Sequence, residues 1–175
     1  MIDLKTFKEH LSYDPESGVF TRLAGKYHRA KKGDVAGARH IEGYLKFCLL
    51  GVSYLAHRAA FFYMTGEWPE TDVDHINGDR SDNRWSNLRL ASRSQNNCNS
   101  GRRRNNTSGH KGVRFHKKAG KWMAEARING ERIYLGLFDT AEAASEAYSD
   151  HAQKTHGEFL YKGARNDPYP LTTEA

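Results

Sequence analysis

The chain has 175 residues, 38% apolar and 11% aromatic, with a mean hydropathy of -0.81, which suits two small domains with broad polar faces better than one thick core. Its 27 Lys and Arg against 21 Asp and Glu give a net charge of +6, gathered in clusters, so an anionic partner is expected, with nucleic acid foremost. No leader peptide or bilayer-spanning apolar run of ~20 residues is read, which excludes a membrane role and points to a cytosolic protein, and the two cysteines, Cys48 and Cys98, can build neither a disulfide framework nor a zinc ribbon.

The opening residues predict a short helix, a turn at Asp14-Pro15-Glu16-Ser17-Gly18, and a strand through Val19, Phe20 and Thr21. A second hairpin is expected from Tyr44 to Phe47 and beyond Gly51, leading into a helix from Tyr54 to Thr65 that presents Leu55, Ala59, Phe62 and Tyr63 to a core and stops before Gly66 and Pro69. His57 and Arg58 open that helix, with His57 expected to be buried, hydrogen-bonded and structural. Residues 73–83, VDHINGDRSDN, form a polar window with little to fold around. A short helix is read from Arg84 to Arg93, with Ser86 as cap and Leu88 and Leu90 as anchors.

The chain then changes character. Residues 100–108 are basic, polar and glycine-flanked, and read as a linker in which Arg102, Arg103 and Arg104 face a nucleic-acid groove. Beyond it three segments alternate with period two, joined in part by an Asn129-Gly130 hairpin turn. Trp122, Ala124, Ala126 and Ile128 share one face with Ile133, Leu135 and Leu137; Arg114, Glu125, Arg127, Arg132 and Tyr134 share the other. A helix opening at Asp139-Thr140 and ending near Gly157 covers the apolar face, and residues 161–175 are read as a tail.

The polar window contains the residues best suited to chemistry. A carboxylate such as Asp74 and an amide oxygen from a later Asn are hard ligands for Mg²⁺ or Mn²⁺. The imidazole of His75, with an ordinary pKa near ~6.5, takes a proton from water at neutral pH. If Val73-Asp74-His75 ends a strand, alternation sends the two side chains to opposite sides, so ion and base approach a phosphate from different directions. Asn77, Asp79, Asp82 and Asn83 are expected to shape the loop through side-chain to backbone bonds. Arg58, Arg89 and Arg93 are candidate phosphate contacts.

His57-Arg58 followed by VDHINGDRSDNRWSNLRLASRSQNN resembles the ββα-metal motif of HNH endonucleases, in particular the phage homing enzymes, over residues 1–99. The resemblance implies a one-metal nuclease: Asp74 and Asn96 hold the ion, His75 is the general base, and Asn87 orients it. Asn97 stands beside Asn96 as the alternative ligand. With Asn in place of a ligating His, one Mg²⁺ or Mn²⁺ is favoured over Zn²⁺ or Ni²⁺.

Residues 109–160, with KGVR, WMAEAR and YLGLFDTAEAA, resemble the ethylene-response-factor type of DNA-binding domain. That family places its sheet in the major groove, which implies Lys111, Arg114, Glu125, Arg127, Arg132 and Tyr134 as contacts, with Lys117 and Lys118 on phosphate.

The expectation is therefore an α+β protein: a ββα-metal nuclease domain with N-terminal β-hairpins, then a three-stranded antiparallel sheet packed on one helix. Its expected function is site-specific, metal-dependent cleavage of double-stranded DNA by a monomer that nicks one strand and needs no obligate protein partner. A phage origin, with action in the bacterial host cytoplasm, follows from the same resemblance. The rival readings are a DNA-binding regulator with an inactive nuclease domain and a non-specific phage nuclease.

Overall fold

A computed structural model describes residues 2–24, 30–101, 105–128 and 130–159. Arg102, Arg103, Arg104, Asn129 and the expected tail lie outside the described residues. The chain divides into two compact units, Met1–Leu90 and Ala91–Ala175.

In the first unit α1 (Leu4–His10) starts where the Asp3 carboxylate accepts from the Thr6 N–H, and it buries Phe7 completely. The hairpin of β1 (Leu11–Asp14) and β2 (Val19–Arg22) follows, extended by β3 (Val35–Ala36). A second three-stranded sheet is formed by β4 (Ala38–Arg39), β5 (Leu45–Leu49) and β6 (Val52–Leu55). Helix α2 (Ala56–Thr65) lays Ala56, Ala59, Ala60, Phe61 and Phe62 into the core. Tyr54 and Leu55, expected in the helix, instead end β6. Phe7 sits among Phe20, Phe47, Tyr54, Phe62, Tyr63 and Trp68 at centroid separations of 5.4–6.5 Å, mostly edge to face. Aromatic packing thus welds helix, hairpin and sheet.

Strand β7 (Asp72–His75) pairs with β8 (Leu88–Ala91). The helix expected over residues 84–93 is replaced by a single 3₁₀ turn, Trp85–Asn87, and then this strand. Two buried residues, Leu88 and Ala91, flank a half-buried Arg89 and an exposed Leu90, and pairing with β7 overrides the local helical tendency. The helix begins later, as α3 (Arg93–Asn99), where Ser92 and Gln95 close a reciprocal capping box; the cap expected at Ser86 is at Ser92. The compact units divide at Leu90, so α3 is counted with the C-terminal unit.

The second unit contains β9 (Val113–His116), β10 (Lys121–Ile128) and β11 (Glu131–Phe138), antiparallel in the order β11-β10-β9, with α4 (Ala141–His156) packed on them. Thr140 caps α4 by accepting from the Ala143 N–H. Val113, Ala124, Ala141 and Ala144 form its small core with Trp122, Leu135 and Phe138 against them. Leu137 departs from the expected face. A register shift beside Ala124 and Glu125 leaves Leu135 unpaired, so Leu137 falls opposite Met123, on the face away from α4. Residues 106–108, read as linker, fold onto the start of the sheet: Ser108 Oγ donates to the Val113 carbonyl at 2.8 Å, and Asn106 Nδ2 to that of His110 at 2.9 Å. Among the described residues no helix is long and apolar enough to cross a membrane.

Candidate active site and nucleic-acid interface

Strand β7 buries three consecutive residues, Val73, Asp74 and His75, an expensive place for two polar side chains unless each has a partner. Alternation sends them to different partners. Asp74 Oδ2 takes Arg89 Nε at 3.0 Å and Nη2 at 2.9 Å, an ion pair that is largely buried on both sides. His75 Nε2 lies 3.2 Å from Asn83 Oδ1. Its ring also stands 5.0 Å from that of His57 and 5.9 Å from that of Tyr44, with the Arg80 guanidinium 4.8 Å over the Tyr44 ring. Burial holds His75 below the ordinary imidazole value, opposed by the bond to Asn83 and by the negative fields of Asp74, Asp79 and Asp82. A neutral imidazole at pH 7 is the form a general base requires.

The polar window divides into turn-building and site-building parts. Asn77 Nδ2 donates to Asp82, the backbone N–H of Asp79 to Asn77, and the N–H and hydroxyl of Ser81 to Asp79. Asn87, expected to orient His75, binds the backbone just beyond it. Its carbonyl accepts from the Ile76 N–H at 2.9 Å and its Oδ1 from the Asn77 N–H at 3.0 Å, while Nδ2 donates to Asn77 Oδ1 and to the Asp82 carbonyl. Asn83, expected to shape the loop, is hydrogen-bonded through its side chain to the His75 ring. No period or motif letter separates the two asparagines; only the closed loop does.

His57 is buried as expected, at 5% exposure, yet its Nδ1 has no hydrogen-bond partner among the described residues. Burial, with the His75 ring and Arg58 nearby, drives its pKa down to about 3, opposed by Asp72. The unfolded chain therefore binds a proton at His57 near its ordinary 6.5, whereas the folded chain refuses it until about 3. Stability is expected in full above pH 6.5 and to fall between 6.5 and 3, by an amount on the order of a few kcal/mol. Urea midpoints measured against pH should flatten across that window in His57→Gln; an unchanged acid limb would refute the assignment.

Arg58 and Arg89, expected on phosphate, are committed within the protein. Arg58 donates to the Thr71 and Pro69 carbonyls ahead of β7, and Arg89 neutralises Asp74. Among the described residues no group of three or more His, Cys, Asp and Glu gathers to hold a metal. Asp74 offers a buried carboxylate next to His75 in the chain, and a hard divalent ion fits that chemistry. Asn96 is half-buried and Asn97 exposed, both on α3.

In the second unit the face of the sheet turned away from α4 carries Arg114, Glu125, Arg127, Arg132 and Tyr134. Tyr134 is 62% exposed, and Arg127 and Arg132 are exposed and directly opposite each other across β10 and β11. Like charges facing across a strand pair cost stability. Glu125 lies 3.5 Å from Arg114, and among the described residues no acid pairs with Arg127 or Arg132. Lys117 and Lys118 are exposed in the turn between β9 and β10. Arg93, also exposed, lines with Arg127 and Arg132 a cavity of about 800 Å³. Lys111 departs from the expected contact set. Its Nζ donates to the carbonyls of Asn97 at 3.0 Å, Cys98 at 2.6 Å and Ser100 at 2.6 Å, and burial lowers its pKa to about 8. The ammonium thus caps the C-terminal end of α3, where backbone carbonyls lack partners.

The features to be compared are a buried Asp-His pair on a paired strand and, further along the chain, a basic sheet face backed by one helix. Comparison with known families gives the members. Residues 54–98 match the HNH endonuclease family and residues 108–158 the AP2 domain, so the chain carries an HNH nuclease domain followed by an AP2-like DNA-binding domain. The AP2-like ethylene-responsive transcription factor TOE2 of Arabidopsis thaliana is 41% identical over 54 residues, covering 31% of this chain and 11% of that protein. The dehydration-responsive element-binding protein 2D of the same plant is 46% identical over 50 residues, covering 27% of this chain and 24% of that protein. The chain thus spans a tenth to a quarter of the length of these relatives. A solved structure of DNA binding and cleavage by the HNH homing endonuclease I-HmuI aligns with a TM-score of 0.43 and 18% identity, over 89% of this chain and 90% of that one.

Proposed function

We propose that the protein is a divalent-metal-dependent, site-specific endonuclease of double-stranded DNA that acts as a monomer and nicks one strand. The observation that carries the reading is the buried Asp74-His75 pair, each side chain with its own partner, inside the segment matching HNH endonucleases. His75 takes the proton of a water whose oxygen attacks the phosphorus; the bond to the 3′ oxygen breaks, leaving a 5′-phosphate and, after protonation, a 3′-hydroxyl. A Mg²⁺ or Mn²⁺ ion held by Asp74 and by the amide of Asn96, with Asn97 the alternative, would supply stabilisation of the developing negative charge. Arg89, already on Asp74, keeps that carboxylate's charge balanced and its direction fixed.

Specificity is assigned to the bare face of the C-terminal sheet, because two facing arginines without an acid are relieved by an anion. Arg127→Ala and Arg132→Ala are each expected to weaken duplex binding by about 1–3 kcal/mol and to lessen its salt dependence. Neither should lower the melting temperature, since each removes a repulsion. Fluorescence anisotropy at two salt concentrations, with a thermal melt, checks both statements. The test of the whole reading is incubation of supercoiled plasmid and phage genomic DNA with Mg²⁺, with and without EDTA, followed by mapping of cut positions on both strands. One position on one strand is the expected result. Bound but intact DNA would make the protein a DNA-binding regulator, and scattered ends a non-specific nuclease.

A further inference from the structure

Asn83 is only 1% exposed, and its amide is fixed in orientation: Nδ2 donates to the Ser81 carbonyl at 3.2 Å, so the atom turned to the imidazole is Oδ1. A carbonyl oxygen only accepts, and neutral imidazole carries its hydrogen on one nitrogen. His75 Nε2 must then bear the hydrogen, which leaves the lone pair on Nδ1. The opposite tautomer would set two lone pairs face to face in a buried site, where nothing screens them.

Asn83 is in turn held from far away in the sequence. The Tyr13 hydroxyl donates to its carbonyl at 2.7 Å, and the Trp85 N–H donates to the Pro15 carbonyl at 2.9 Å. Gly18, at the end of the β1-β2 turn, packs so closely that a Cβ there would lie 2.4 Å from both the Asn83 carbonyl carbon and the Arg84 nitrogen. All three residues belong to the N-terminal hairpin, outside residues 54–98 that match the HNH endonuclease family.

We propose that Asn83, clamped by the β1-β2 hairpin, is the positioning residue that fixes the tautomer of His75 and makes Nδ1 its proton-accepting nitrogen. The inference rests on the reading of His75 as general base, but its first test does not. In the full-length protein labelled with ¹⁵N-histidine, at neutral pH without metal, His75 should show a pyrrole-type Nε2 and a pyridine-type Nδ1. Asn83→Asp, which keeps an acceptor, should preserve that pattern; Asn83→Ala should give mixed tautomers. With plasmid and Mg²⁺, Asn83→Ala should lose roughly 10- to 100-fold in kcat with KM little changed, and Asn83→Asp should recover most of it. Tyr13→Phe, which removes one hydroxyl from a packed aromatic core, should move both readouts in the same direction by less. An Nδ1-protonated His75 in the parent, or an unaltered tautomer in Asn83→Ala, overturns the proposal. Should Asn83→Ala not fold, the parent spectrum and Tyr13→Phe still decide it. If the tautomer is as stated but His75→Ala cleaves normally, the general-base reading fails and the positioning geometry survives.

Discussion

Replacing His75 by alanine is expected to slow plasmid cleavage by about 10²–10⁴-fold while duplex binding stays roughly unchanged. The size follows from the loss of the proposed general base: the ring is buried, held at Nε2 by Asn83, and shifted towards the neutral form by burial. Binding should persist because the exposed arginines to which duplex binding is assigned lie on the C-terminal sheet, in a separate compact unit. The truncation also opens a space beside His57 and Tyr44, so circular dichroism should accompany the assay. A variant that cuts at the parental rate would remove His75 from the mechanism.

The second large effect is expected at Gly18. With φ at +73°, alanine there is strained by roughly 1–2 kcal/mol, and its Cβ would overlap backbone atoms of Asn83 and Arg84 that cannot rotate away. Relief by backbone shift costs about 1–3 kcal/mol more, so a loss of about 2–5 kcal/mol in urea unfolding is expected for Gly18→Ala. Gly51 provides the control, having φ at +79° with nothing within 4 Å of its added Cβ. Gly51→Ala should show the strain without the overlap. Because the shift falls on Asn83, Gly18→Ala should also reduce cleavage in the fraction that remains folded, and Gly51→Ala should not. Equal losses in the two variants would mean that the hairpin does not brace the loop.

Several elements were legible in the sequence because they follow from local rules. The period-two alternation of KWMAEARI and ERIYLGLF gave a sheet with one bare basic face, and Thr140 gave the start of α4. The run VDHINGDRSDN marked a polar loop after a strand. Three readings failed for reasons that lie outside any local window. Leu88–Ala91 became a strand because β7 was available to pair with it. Leu137 changed faces because one extra residue entered β11, which no count of alternating residues reveals. Lys111 turned inward because the end of α3, more than ten positions earlier, presented carbonyls without partners.

The sequence by itself determined the chemistry available: a carboxylate and an imidazole adjacent at a strand end, amides to follow, and a basic sheet after them. These are properties of residue type and spacing, and a period of two or a motif of fixed length carries them whatever the rest of the chain does. Tertiary structure alone decided which of several equivalent side chains performs each task. Asn83 and Asn87 are the same residue four positions apart, yet one meets the imidazole and the other staples the backbone behind it. That choice is set by a hairpin about 70 residues upstream, through one tyrosine hydroxyl and one glycine without a Cβ. Contacts over that distance depend on how the chain closes, and closure is a property of the packed core rather than of any stretch that contains the site.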